Sequence, residues 1–128
     1  MGRDKLRRQP IMATKGADKS QIHPGEVLDV AALVDYAQGA IVSRTLLDNK
    51  AGTITLFSFD EGQGLSEHTA PFDALVQVLD GEGEFVVGDK VHNVGTGQVL
   101  LMPANVPHAV KATGRFKMLL TMLRAKGK

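Results

Sequence analysis

The sequence predicts a small all-β barrel with a ligand-sized interior and one short helix in front of it. Short β-branched or apolar runs recur from Ala40 to Leu123, glycine and proline punctuate them, and 128 residues supply material for a single core. The 43% hydrophobic and 23% charged residues are ordinary for a folded domain, and 14 glycines favour many tight turns. The organisation that follows is a polar, basic tail over residues 1–20, expected to be disordered, and one barrel domain over residues 21–128.

From Glu26 to Tyr36 the run EVLDVAALVDY contains helix-forming Ala and Leu, with Asp29 as a candidate N-cap and Gly39 as a stop. This is the expected helix. Ala40–Leu47 and Thr53–Phe59 read as two strands of a hairpin around Asp48-Asn49-Lys50-Ala51-Gly52. Ala74–Leu79 is apolar on both faces apart from Gln77, which predicts a strand buried on both sides, closed by Asp80-Gly81. Glu84–Val87, Val91–Val94, Val99–Met102, His108–Ala112 and Phe116–Leu123 continue the strand series. Gly114 and the preceding β pattern favour strand over helix for the last of these.

Charge is unevenly placed. Residues 1–20 hold six basic and two acidic side chains (+4), residues 21–110 three against twelve (−9), and residues 111–128 six against none (+6). An acidic body lacks the basic face that phosphates require, so nucleic acid is not an expected partner. No apolar stretch approaches the ~20 residues that span a bilayer, and the N-terminus lacks a secretory h-region, so a cytoplasmic protein with no membrane partner is expected. With no cysteine, any metal must be held by His, Asp or Glu.

Two stretches resemble a known pair of motifs. Gly62–Gly81 (GQGLSEHTAPFDALVQVLDG) and Gly97–His108 (GQVLLMPANVPH) are similar to the two motifs of the cupin superfamily, small conserved barrels of double-stranded β-helix or jelly-roll type. Gly97 and Pro103 have the motif spacing, and His108 stands where the last histidine belongs; Asn105 replaces the usual glycine. His68 takes the place of the leading histidine and Gly81 that of the closing glycine. The second histidine of the family pattern falls at Ala70 and its glutamate at Ala74. The resemblance thus implies the fold, and a metal site with two of its four usual ligands missing. In such barrels the metal is commonly iron, manganese, nickel or zinc, and the activities include dioxygenases, isomerases, decarboxylases and sugar epimerases, beside sensors and storage proteins with no chemistry.

His68 and His108 are therefore the candidate metal ligands, expected to lie together and to hold a divalent ion weakly or not at all. A first-row ion usually takes at least three protein ligands. The candidate ligand pocket is His68, Ala70, Phe72, Ala74, Met102 and His108, where the small Ala70 and Ala74 suit an apolar or planar organic molecule. Asp73 and Glu67 are one position out of phase with Ala74 and His68, so regular strands turn both outward; Asp73 stays a weak candidate third ligand or base. His23 and His92 read as exposed structural histidines. An epimerase-type acid would need a tyrosine, and the single one, Tyr36, lies in the N-terminal segment. The expected function is binding of a small organic molecule at a degenerate metal site; the alternative is a metal-dependent enzyme, dioxygenase or isomerase in type, using His68 and His108. A homodimer is expected through the outward face of ALVQVL, where Leu75, Gln77 and Leu79 would otherwise form an exposed patch.

Overall fold

The computed structural model describes residues 21–125. The tail expected over residues 1–20 lies outside them. Eight antiparallel strands follow one another: β1 (Ile41–Asn49), β2 (Gly52–Phe59), β3 (Gly64–His68), β4 (Phe72–Val87), β5 (Lys90–Gly95), β6 (Val99–Met102), β7 (His108–Lys111) and β8 (Phe116–Arg124). They form one curled sheet in the order β1-β2-β8-β4-β7-β3, with β6 and β5 added to the first and second halves of β4. The first half of β4 thus joins β1, β2, β8 and β6 in one layer, and its second half joins β3, β7 and β5 in the other. This is the all-β barrel expected.

Two local expectations are corrected. Asp80-Gly81 does not close a strand: β4 runs through it for 16 residues, with a bulge between Val78 and Asp80. Gly81 has φ 73°, and a Cβ there would stand 2.1 Å from the Arg115 carbonyl oxygen, so the glycine lets the strand bend between layers against β8. The Glu26–Tyr36 helix is reduced to a single 3-10 turn, Val30–Leu33, whose Asp29 makes no side-chain cap bond. Three valines in the run weaken its helix propensity, and the segment gains more by lying as an extended strap across the first layer. There Val34, with Val30 and Leu33, packs on Leu46, Leu56, Leu79 and Leu119.

Side-chain alternation sorts the rest. Ala74, Val76 and Val78 of β4 point inward with Phe59, Phe116 and Met118, and with Phe85 and Val110 of the second layer. The Phe59 and Phe116 rings stack at 4.6 Å, and Phe85 meets Phe116 edge-on at 5.9 Å. These fully buried rings plug one end of the barrel. The other end is left for the candidate site.

The strap is fastened by polar contacts. Buried Ser58 donates to the Asp35 carbonyl at 2.9 Å, Lys117 Nζ to the Ala31 carbonyl at 2.6 Å, and Tyr36 Oη to Asp80 at 2.5 Å. Arg115 and Lys117 both lie about 5 Å from the Tyr36 ring centre. Burial, and then the bond to Asp80, push the phenol above its ordinary range. Asp60 accepts from the Gly39 N–H at 2.6 Å and from Arg115 Nε at 2.7 Å, which hold its carboxyl down at about 2.

Candidate functional site

Five chain ends meet at the end of the barrel away from the stacked rings: the end of β3, the starts of β4 and β7, and the ends of β6 and β8. Backbone bonds tie them, from Asn105 N to the Ala70 carbonyl (2.8 Å), Ala125 N to the Pro71 carbonyl (3.3 Å) and Arg124 N to the Ala51 carbonyl (3.2 Å). Asn105 adopts φ 65°. That explains the departure from the motif glycine, because asparagine is among the few other residues that enter the left-handed region readily.

His68 closes β3, and it is the direct cross-strand partner of His108, the first residue of β7. Their side chains share a face. The rings sit edge to face with centroids 4.3 Å apart, and the two Nε2 atoms approach to 3.1 Å. His108 is buried and His68 exposed. Each Nδ1 lies against a backbone carbonyl oxygen, Ser66 for His68 (2.8 Å) and Val106 for His108 (3.2 Å). Carbonyls only accept, so both Nδ1 atoms carry protons, and in the neutral rings both Nε2 atoms present lone pairs. Two lone pairs meeting at this distance repel unless a proton, a cation or the hydrogen of a bound molecule lies between them.

The other candidates divide. Ala74 and Met102 are buried, inward-facing and in register with each other, and Met122 flanks Ala74 on its other side. Phe72 is half-buried at the start of β4, and Ala70 is half-buried with its carbonyl engaged by Asn105. Asp73 points outward and accepts the Ala104 N–H at 2.9 Å, so it fixes the loop before β7 and does not face the pair. Glu67 is exposed, as is His23, while His92 is half-buried rather than exposed. Tyr36 is bonded to Asp80 beneath the strap, in no contact with either histidine.

Sequence reasoning missed Arg124. Counting along β8 from buried Met118 puts residues 120, 122 and 124 on the inward side, and the Arg124 guanidinium lies 5.6 Å from the centre of the Phe72 ring. That alternation was the available signal. The cavity of about 650 Å³ was also unforeseen: it opens between the strap and the free edge of β1, lined by Leu33, Tyr36, Val42 and Arg44, and not at the histidines.

Among the described residues no group of three or more His, Cys, Asp or Glu side chains gathers to hold an ion, and no helix is long and apolar enough to cross a membrane. The pair alone offers two donors. The Nδ1–H bonds to carbonyls are the outer-shell contacts that ligating histidines usually make.

Comparison with known proteins fits this fold. The profile described as Cupin domain matches residues 55–123. A conserved protein of unknown function from Streptococcus pyogenes is 36% identical with a TM-score of 0.78, over 84% of this chain and 94% of its own. A cupin superfamily protein from Desulfitobacterium hafniense is 31% identical (TM-score 0.76), covering 84% of this chain and 97% of its own. A cupin 2 conserved barrel domain protein from Leptotrichia buccalis is 44% identical (TM-score 0.74) over 76% of this chain, which spans 47% of that protein. No curated protein matches the chain. The curled sheet, the two motifs and these neighbours agree: the chain belongs to the cupin family.

Proposed function

We propose that this cupin binds a small, partly apolar organic molecule at the end of the barrel where His68 and His108 meet, through their two Nε2 atoms. The observation that carries this is the approach of the two Nε2 atoms to 3.1 Å, with each ring held in orientation by its own carbonyl. Such a pair accepts a hydrogen bond from one O–H or N–H group of a ligand. Ala74, Met102 and Met122 supply an apolar wall, and the positions where the family places a histidine and a glutamate are alanines, which favour an organic group over an ion. Saturation-transfer NMR with fragments that combine an aliphatic or aromatic body with a hydroxyl, amide or amine tests the reading. Binders should lose their signal with His68→Phe and keep it with His92→Phe. Binders indifferent to His68 would place the site elsewhere, with the cavity at the strap the first alternative.

The second reading, a metal-dependent enzyme, is favoured by the 3.1 Å approach of the two Nε2 atoms and by the carbonyl that each Nδ1 contacts. His68 and His108 would then hold the ion, which would polarise a bound oxygen. Two imidazoles fill only part of a first-row coordination shell and bring no negative charge, so the donor set fits such an ion incompletely. Elemental analysis of protein purified without an affinity tag separates the two readings. Stoichiometric metal that disappears with His68→Ala would favour the enzyme.

A further inference from the structure

The histidine pair and its apolar wall leave one charged side chain at the same end of the barrel without a role. Arg124 is the last residue of β8 and the direct cross-strand partner of Phe72, the first residue of β4. Side chains paired in this way share a face of the sheet. Met118, Leu120 and Met122 pack on the barrel core, so alternation turns Arg124 to the same inward side. Its guanidinium carbon stands 5.6 Å from the centre of the Phe72 ring. Among the described residues that ring contact is the one interaction of its side chain, and no carboxylate pairs with it.

Counting from Gly81, where β4 bends between the layers, places Arg124 relative to the pair. Ala74 lies seven residues before the bend, and Val87, the cross-strand partner of His108, six residues after it. The histidine row of one layer therefore faces the Ala74 row of the other, which Met102 and Met122 flank. Arg124 and Phe72 stand one inward row further from the bend, a step of about 6.7 Å along the strands. The carboxylates of the neighbouring rows leave the arginine uncompensated. Asp73 is turned outward onto the Ala104 N–H, and Asp48, level with Met122, stands two strands from β8, about 10 Å away.

We propose that Arg124 is the anion-binding end of the site, and that the ligand is a small carboxylic acid with an O–H or N–H donor about 6–8 Å from its carboxylate. The assignment rests on ligand binding at the histidine pair and gives that ligand its chemical class. The donor bonds to the Nε2 atoms, the body of the molecule lies on Ala74, Met102 and Met122, and the carboxylate meets the guanidinium. A guanidinium presents its N–H donors in a planar fork that matches a carboxylate bidentately. Contact with the Phe72 ring spends none of those donors and restrains the side chain, so less freedom is lost when an anion arrives. Two neutral imidazoles, three apolar side chains and an arginine favour an anion over a cation. One fork matches one carboxylate, whereas a phosphate dianion would keep a charge uncompensated.

Titrations of the full chain followed by ¹H–¹⁵N spectra test the proposal with two probes of one shape, para-hydroxyphenylacetate and its neutral amide, para-hydroxyphenylacetamide. Each carries a phenol O–H one ring and one methylene away from its second polar group. The parent should bind the carboxylate at least about 10-fold more tightly than the amide. Arg124→Gln should erase that preference by weakening the carboxylate alone, and Arg124→Lys, which keeps the charge without the fork, should fall between parent and Arg124→Gln. Arg124 is exposed at a strand end, so both variants should keep the parent's spectrum. His68→Phe should weaken both probes by a similar factor. Equal binding of the two probes by the parent, with both weakened by His68→Phe, would overturn the role of Arg124 and leave the histidine site standing. A carboxylate preference that survives Arg124→Gln would do the same. Probes that ignore His68→Phe would bring down the site itself and the anion proposal with it. A parent that binds neither probe at about 10 mM would refute the ligand class.

Discussion

Ala70→His and Ala74→Glu introduced together should turn the histidine pair into a metal site, with a loss of stability that bound metal offsets. Ala74 is 3% exposed, inward on β4 between Met102 and Met122. A glutamate there without an ion is an uncompensated buried charge, which destabilises by about 3–5 kcal/mol. For a domain of this size each kcal/mol moves the melting temperature by about 4–8 °C. In EDTA the variant should therefore melt at least about 12 °C below the parent. Zinc at about 1,000 times its dissociation constant stabilises by about 4 kcal/mol and should restore most of that difference. The parent, whose two neutral imidazoles lack a carboxylate, should shift by less than about 3 °C in the same zinc concentration, since a ligand near its dissociation constant contributes only a few tenths of a kcal/mol. Scanning calorimetry of both proteins in EDTA and in zinc gives the four melting temperatures. A folded double variant indifferent to zinc would show that residue 74 does not reach the pair. A parent stabilised as strongly as the variant would show that a donor outside the two motifs already completes the site.

Phe116→Ala should cost about 3–5 kcal/mol in urea unfolding, because it empties the space between Phe59 and Phe85 at the plugged end; a loss under 1 kcal/mol would deny that these rings are the core. Asn105→Gly should be tolerated while Asn105→Ala costs about 1–2 kcal/mol, given φ 65° at that position; equal melting temperatures for the two would contradict it. Asp60 is held at about 2 against an ordinary 3.8, so the unfolded chain binds more protons between these values. Its stabilisation is present above pH 4 and is lost as pH falls through about 2. Asp60→Asn should flatten the acid limb of the melting profile in that window, and an unchanged acid limb would contradict the Gly39 and Arg115 contacts.

Strand positions were legible because alternation and turn residues are local signals: Val99–Met102 was read from sequence with the bounds the structure gives, and Phe116–Arg124 is a strand, as Gly114 suggested. What failed depended on distant partners. The Glu26–Tyr36 segment carries helix formers, yet the apolar outer side of Leu46, Leu56 and Leu119 holds it extended, and nothing near residue 30 announces that. Asp80-Gly81 looks like a turn until Arg115 and Phe116 are seen beside it. At the site, motif spacing placed His68 and His108 together, but the carbonyls that orient them belong to Ser66 and Val106, whose backbone role no side-chain pattern encodes. Arg124 was hidden for a similar reason, since its position over Phe72 follows from the register of β8 on β4.

The most direct test of a ligand site between the two imidazoles is a long-range ¹H–¹⁵N spectrum of the histidine rings, recorded before and after adding the best-binding fragment. Before addition, both His68 and His108 should show protons on Nδ1. On titration their two Nε2 resonances should move together with one binding constant, while those of His23 and His92 stay fixed. A ligand that binds without moving either Nε2, or a free protein in which both rings carry their proton on Nε2, would contradict the account.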